Sequence, residues 1–392
     1  MGGQSVARCH EMPDSRAQCQ KNILEDFWRG AVASVAGDRA VCVALEKDRP
    51  FMPDQIISIG KAARSMCDGA MRALSFSGDA LIISKRGLDE SIQTPAGATV
   101  VEAGHPIPDE ESLRAGELLI EAVRRQRPQQ KLLLLVSGGA SALAEVLHAD
   151  TALTALRKMN SEWIASGLTI DEINSRRAAV SKIKGGKLLQ RFSGAEVRTY
   201  AISDVRGDRV EVIGSGIGST ARVTAKACER VIASNADARQ YVADRAVRRG
   251  FAVRLNEESL YGDVSQVAAR MAGTLRRAEA GIYTWAGEPT IVLPESPGTG
   301  GRNQSLALEL AIKLRGMNDF AALVASTDGD DGTSGVAGAL IDGDTASDQA
   351  AAASALARAD ANTYLRRQDA IFSSGPTHTN VMDLAIAIVG AT

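Results

Sequence analysis

Lys61, Asp204 and Arg302 lie far apart in this chain, yet each belongs to a loop rich in Gly, Ser or Asp. Lys61 follows Gly60 in IGKAARS (59–65), where an ammonium is a point charge suited to a phosphoryl group. Asp204 opens SDVRGDRVEVIGSGIGS (203–219), with Asp208 close behind. Arg302 closes the glycine run of GTGGRNQ (298–304) near the start of an apolar helix, where a guanidinium can clamp a carboxylate or phosphate with two parallel bonds. In SGGASAL (137–143), Gly138 and Gly139 let the backbone turn its N–H groups inward, and a following helix start adds partial positive charge. Ser137 and Ser141 add hydroxyl donors. These groups together describe a site for anions.

Three further loops add polar groups. His105 lies in AGHPIPDEES (103–112), stiffened by two prolines, with Asp109 or Ser112 able to cap the next helix. Asn174, Arg177, Ser181 and Lys184 are spaced three, four and three apart, which aligns them on one face of a helix without paired carboxylates. Asp328, Asp330 and Asp331 cluster in STDGDDGTSG (326–335), and carboxylates near bound phosphates commonly hold Mg²⁺. Each feature has a plainer reading: a tight turn, a solvated lysine, a structural histidine, a solvated charge stripe, an Asx-rich turn. On the residues alone both readings stand.

These loops need strands to place them. Short apolar runs precede six of them: QII, KLLL, TYA, GIY, FAALV and AIF, followed by SIGKAARS, LVSGGASAL, ISDVRGD, WAGEPT, ASTDGDDGTSG and SSGPTHTN. The runs at 55–60, 79–84, 98–104, 131–137 and 198–203 read as buried strands, with 230–235 and 252–255 as further candidates. Helical patterns at 21–48, 111–126, 151–192 and 264–280 alternate with them, which means βαβ units and a parallel sheet. From 281 the texture changes: 281–296 reads as a strand pair, then come a helix after GGRNQ, a strand FAALVAS, an Ala-rich helix over 346–359 and a strand AIFSS. The expected organisation is a flexible leader at 1–20, an α/β domain at 21–265 and a smaller α/β domain with a mixed sheet at 266–392.

Composition narrows the function classes. A net charge of −2 gives no bulk attraction to nucleic acid or anionic membrane, and no apolar run reaches membrane-spanning length. The polar amino-terminal stretch lacks the apolar core of a signal peptide, and Val6 breaks a myristoylation pattern. Five cysteines without a CxxC fit a reducing cytoplasm. GxxxxGK[ST] is absent, and GSGIG (214–218) fails the GxGxxG spacing of a dinucleotide site.

Taken in order, IGKAA, GHPIPD, VSGGASAL, EIN..R...S.IKGGKL, SDV.GD, GGRNQ.LAL, TDG.DG and GPT.TNV.DL resemble the class II glycerate 2-kinases, whose carboxy-terminal part is the MOFRL domain. The resemblance spans roughly 22–390. It implies a Rossmann-like α/β/α domain with a mainly parallel sheet, a smaller α/β domain with a mixed sheet, and a site in the cleft between them. It implies ATP-dependent phosphorylation of D-glycerate at the 2-hydroxyl, giving 2-phosphoglycerate and ADP, with Mg²⁺ or another divalent cation, in the cytoplasm, as a monomer or homodimer. By motif it makes Lys61, Asp204 and Arg302 catalytic. It places His105, Ser137 to Ser141, Asn174, Arg177 and Lys184 around substrate and phosphate, with Asp328 and Asp331 as metal candidates. The chain departs from the family at SGIGS (215–219), usually SGP, and at His378, usually Gly or Ala. The alternatives are an NAD(P)H-dependent hydroxypyruvate reductase, which the missing fingerprint disfavours, and a non-catalytic binder of small hydroxy acids.

Overall fold

The computed structural model describes residues 13–48, 50–87, 97–165 and 170–390. The first half of the chain runs α1 (Pro13–Ser34), α2 (Gly37–Lys47), β1 (Gln55–Ile59), α3 (Ala63–Leu74), β2 (Asp79–Lys85), β3 (Ala98–Ala103), α4 (Glu110–Arg124), β4 (Lys131–Val136), α5 (Ala140–Leu143), α6 (Leu153–Ala165), α7 (Ile170–Val180), β5 (Glu196–Ile202) and β6 (Lys226–Ala233). The second half runs α8 (Asn235–Arg248), β7 (Val253–Glu258), α9 (Val264–Leu275), β8 (Gly281–Gly287), α10 (Arg302–Lys313), β9 (Phe320–Ser326), β10 (Gly338–Asp342), α11 (Gln349–Ala357), α12 (Ala361–Arg367), β11 (Ile371–Phe372) and β12 (Asp383–Val389).

Two compact units share these elements. The parallel unit holds 35–234 and the short segment 378–381; the mixed unit holds 13–34, 235–377 and 382–390. The expected border at 265/266 therefore differs from the observed change at 234/235. The reason is packing: β7 pairs with β8, α8 packs on both, and α1 packs against α8 and the same sheet. The helix expected over 21–48 is two helices, interrupted at Val35–Ala36, and they belong to different units. Of the leader expected at 1–20, residues 1–12 lie outside the described residues and 13–20 open α1.

In the parallel unit the strands stand in the order β3-β2-β1-β4-β5-β6, all parallel. This is the doubly wound order, and its direction reverses between β1 and β4. Strands covered on both faces read as continuous apolar runs, as in β4, where Leu132, Leu133, Leu134 and Leu135 are all fully buried. Each such leucine contributes about 1.5–3 kcal/mol relative to exposure. α4 begins with the expected cap in reciprocal form: Asp109 accepts from the Ser112 amide at 3.0 Å, and Ser112 Oγ accepts from the Asp109 amide at 3.0 Å.

The mixed unit has the order β11-β10-β9-β12-β8-β7. β7 and β8 are parallel, and every other neighbouring pair is antiparallel. β12 lies between β9 and β8, so two antiparallel neighbours cover both its edges. The strand pair expected over 281–296 is one strand only. After Gly287 the chain carries Pro289, Pro294 and Pro297, which lack ladder donors, and it returns to regular structure at α10. α1 buries Leu24, Phe27, Trp28 and Ala31, with the Trp28 ring edge-on to Phe372 at 4.9 Å.

One charged pair sits inside the parallel unit. Lys184 Nζ lies 2.5 Å from Glu145 Oε2, with side-chain exposures of 2% and 0%. Glu145 Oε1 also accepts from Ser181 Oγ at 2.5 Å and from the Val146 amide at 2.9 Å. Burial pulls the Lys184 ammonium below the ordinary lysine range, against the attraction of Glu145. Cys19, Cys42, Cys67 and Cys228 form no disulfide among the described residues, and among the same residues no helix is long and apolar enough to cross a membrane.

Lys184→Met strands a buried carboxylate and is expected to destabilise the protein by about 3–5 kcal/mol. A thermal melt checks it. A companion Glu145→Leu/Lys184→Met variant, which removes both charges, should recover most of the loss; equal melting of the two variants would show that the pair is not the cause.

Candidate functional site

The reversal point of the parallel sheet brings two of the singled-out loops together. The Lys61 amide donates to the Gly138 carbonyl at 2.9 Å, and the Ser137 amide donates to Ile59 O at 2.9 Å. Ser137 Oγ accepts from the Ala62 amide at 3.0 Å and is fully buried. Gly60, at φ 129°, has no room for a side chain: a Cβ there would lie 2.1 Å from Ser137 Oγ. Ser137 thus joins the two loops through its oxygen, which serves as an acceptor there.

Asp204 and His105 reach the same place from neighbouring strands. A Cβ on Gly138 would lie 1.9 Å from Asp204 Oδ2 and 3.1 Å from Asn380 Nδ2. A Cβ on Gly139 would lie 3.0 Å from the His105 ring and 3.3 Å from Lys61 Cγ. Lys61, His105, Gly138, Gly139 and Asp204 therefore converge beyond the carboxyl ends of β1, β3, β4 and β5, where doubly wound sheets bind ligands. Asn380 joins them, with Nδ2 3.5 Å from Asp204 Oδ2. The sequence reading quoted its motif but gave it no role.

The loop after β4 differs from expectation in one respect. α5 has four residues, too few to aim a helix dipole at an anion. Any anion there depends on individual loop amides. Among the described residues no hydrogen bond occupies the amides of Gly138 and Gly139.

Ser141 anchors a polar chain beside that loop. Its hydroxyl lies 2.8 Å from Ser215 Oγ, which donates to Asn174 Oδ1 at 2.9 Å. Gly214, Ser215 and Gly216 are consecutive left-handed residues (φ 57°, 57° and 71°), so the SGIGS departure is a tight left-handed turn. His378, the other departure, is also left-handed at φ 57°, a conformation in which glycine is free of strain. Its carbonyl accepts from Ser65 Oγ at 2.8 Å.

The expected stripe of Asn174, Arg177, Ser181 and Lys184 is not one face of a helix. α7 ends at Val180, and Ser181 bridges Leu147. Asn174 faces Ser215, and Arg177 Nε donates to Asn160 Oδ1 at 3.0 Å. Lys184 is buried on Glu145, which corrects its placement around substrate: a lysine already paired inside a core has no ammonium to offer a ligand.

In the mixed unit Arg302 opens α10. Its Nη1 donates to Glu288, and its Nη2 lies 3.5 Å from Asp383 Oδ2. Burial works against the guanidinium charge, but Asp383 and Glu288 more than offset it and keep Arg302 protonated. Asp331 caps α10: its oxygens accept from the amides of Asn303 and Gln304 at 3.0 and 2.9 Å and from Gln304 Nε2 at 2.9 Å. Asp328 Oδ1 accepts from Ser326 Oγ at 2.7 Å and from the Asp330 amide at 3.1 Å. Asp331 therefore does not fit the metal role expected of it, because a carboxylate saturated by amide donors has no lone pairs to spare. Among the described residues no group of three or more His, Cys, Asp or Glu side chains is placed to hold a metal ion.

The sequence matches the family described as a domain of unknown function, DUF4147, over residues 23–249, and the MOFRL family over 281–383. The chain belongs to the DUF4147–MOFRL family. Within it, the D-glycerate 2-kinase of Thermotoga maritima is 30% identical over 94% of this chain and 98% of its own. A relative from Agrobacterium vitis, 30% identical over 94% of each chain, bears a provisional hydroxypyruvate reductase name. The crystal structure of glycerate kinase from Thermotoga maritima superposes with a TM-score of 0.85 at 26% identity, covering 95% of this chain and 100% of that one. The family read from the loop motifs is borne out, and so is the α/β fold class.

Two outcomes check the geometry. Gly138→Ala presses a methyl into Asp204 and is expected to cost about 1–3 kcal/mol in thermal stability; an unchanged melt would mean that the loop yields freely. Asp383 is fully buried, and burial pushes its carboxyl up to about 7, opposed by Arg302 and Asn303 and reinforced by Glu288 and Asp331. Its unfolded value is about 3.9, so between those values the folded state binds the extra proton. The contribution of Asp383 to stability therefore falls as pH rises through that window. Melting curves from about pH 4 to pH 7 should be flatter for Asp383→Asn than for the parent; identical slopes would contradict the shift.

Proposed function

We propose that the protein is an ATP-dependent glycerate 2-kinase. The observation that carries this is the convergence of Lys61, His105, Asp204 and the Gly138–Gly139 amides at the β1/β4 reversal, in a chain whose relatives include named glycerate 2-kinases. In this reading the 2-hydroxyl oxygen of D-glycerate forms a bond to the γ-phosphorus of ATP while the bond to the bridging oxygen breaks. ADP leaves, and the hydroxyl proton passes to Asp204.

Phosphoryl transfer asks the protein to position groups and to stabilise charge rather than to make bonds. Lys61 supplies a point charge to the migrating group, and the free loop amides supply donors. Arg302 carries the second cation, and the reading requires it to act on the same phosphoryl group as Lys61. A divalent cation, normally Mg²⁺, accompanies ATP in such reactions; Asp328 is the remaining carboxylate candidate of the two read from the sequence. Free thiols fit a cytoplasmic setting.

The reductase reading draws only on the name of some relatives. The loop after β1 reads GKAARS, a single glycine where a dinucleotide pyrophosphate needs three at fixed spacing.

Incubation with Mg-ATP and D-glycerate, followed by phosphorus NMR, should give 2-phosphoglycerate and ADP. Oxidation of NADH with hydroxypyruvate, and no phosphoglycerate, would overturn the proposal. Lys61→Ala should lower kcat by about 10²–10³ with little change in melting, the size typical of losing a fixed transition-state donor. Arg302→Ala should lower kcat by a similar factor, together with a lower melting temperature because it leaves the buried Asp383 without its cation. The double variant should lose less than the product of the two, because groups that act as a unit are not additive.

A further inference from the structure

The loop WAGEPT that closes β8 was one of the six polar loops, and its Glu288 has no part in the reaction above. It is one of two carboxylates on Arg302, and the two differ in kind. Glu288, which accepts from Nη1, is 48% exposed and lies on a stretch without regular structure. Asp383, facing Nη2, is 1% exposed and neither of its oxygens has a hydrogen bond of normal geometry. Asp383 opens the central strand β12, paired with Gly287 on one side and Ser326 on the other. Moving it would open the sheet; moving Glu288 would only turn a side chain into water.

Charge forces a choice between them. Glu288 alone neutralises the guanidinium, and any ionisation of Asp383 beside it leaves the group negative, so no positive charge remains to clamp a phosphate or carboxylate. Arg302 can take an anionic ligand only if a carboxylate gives way, and the exposed one is free to do so. We propose that Glu288 is an internal stand-in for an anionic substrate group on Arg302, displaced when substrate binds, and that Asp383 is the positioning residue that keeps the guanidinium aimed during the exchange. This rests on the role given to Arg302 above.

Competition of this kind weakens substrate binding by about the strength of one exposed pair. Glu288→Gln should therefore raise kcat/KM about two- to fivefold through a lower KM. Glu288→Ala should move it the same way. Varying ATP at saturating D-glycerate, and the reverse, shows which anion replaces Glu288: a lower KM on one axis names it. Asp383→Asn should instead lower kcat about tenfold or more, as a misaimed donor does. A kcat/KM for Glu288→Gln that is unchanged or lower overturns the stand-in, and a kcat for Asp383→Asn within twofold of the parent overturns the positioning role. If the parent does not phosphorylate glycerate, the kinase reading fails by itself. The stand-in is then decided by inorganic pyrophosphate: tighter binding to Glu288→Gln than to the parent, lost in Glu288→Gln/Arg302→Gln, upholds it, and equal binding rejects it.

Discussion

At the reversal of the parallel sheet, three hydrogen bonds tie two loops together: the Ala62 amide to Ser137 Oγ, the Lys61 amide to the Gly138 carbonyl and the Ser137 amide to Ile59 O. Adjacent parallel strands whose connections run to opposite sides leave a gap beyond their carboxyl ends, and here these bonds bridge it. The placement of Lys61 follows from them, because its amide is held on Gly138. So does that of Asp204, which abuts the α-carbon of the same glycine. Two loops 75 residues apart in sequence thus behave as one rigid lip. The chemistry proposed for that lip needs rigidity more than it needs any one reactive group.

Much of this was legible because buried parallel strands announce themselves. The apolar runs ending at Ile59, Ala103, Val136 and Ile202 read directly as strands, and the polar loops after them had to share a sheet end. The family motifs did the rest for Lys61, His105, Asp204 and the paired glycines. What stayed hidden depended on residues distant in sequence. Glu145 gave no sign that it would neutralise Lys184, and spacing alone ran the stripe past Val180, where the helix stops. Asn380 meets Asp204 across 176 residues. Asp331 resembled a metal ligand because an acidic cluster and a helix cap have the same composition. The strand β12 is an apolar run of the same kind, but no Gly/Asp/Ser-rich loop follows it to mark it out, and it went unread.

Glu145 and Asp383 show how differently a fold can treat a buried carboxyl group. Glu145 meets an ammonium, a hydroxyl and an amide, so its charge is fully answered and serves the core. Asp383 faces one guanidinium at 3.5 Å and is otherwise poorly answered. Buried polar groups left short of partners are uncommon, and a folded chain tolerates them where a function uses the imbalance. The first is architecture; the second keeps an arginine in tension beside the group that it is proposed to serve.

The order of strands in the mixed unit has a consequence for how the chain is made. β12 fills the middle of its sheet, yet it follows every neighbour in sequence. A nascent chain emerging from the ribosome would present β8 and β9 with bare facing edges until β12 appears. Such edges are sticky templates for other chains. Between the synthesis of β9 and the arrival of β12 these edges are open to wrong pairing, and only the last strand of the sheet closes them.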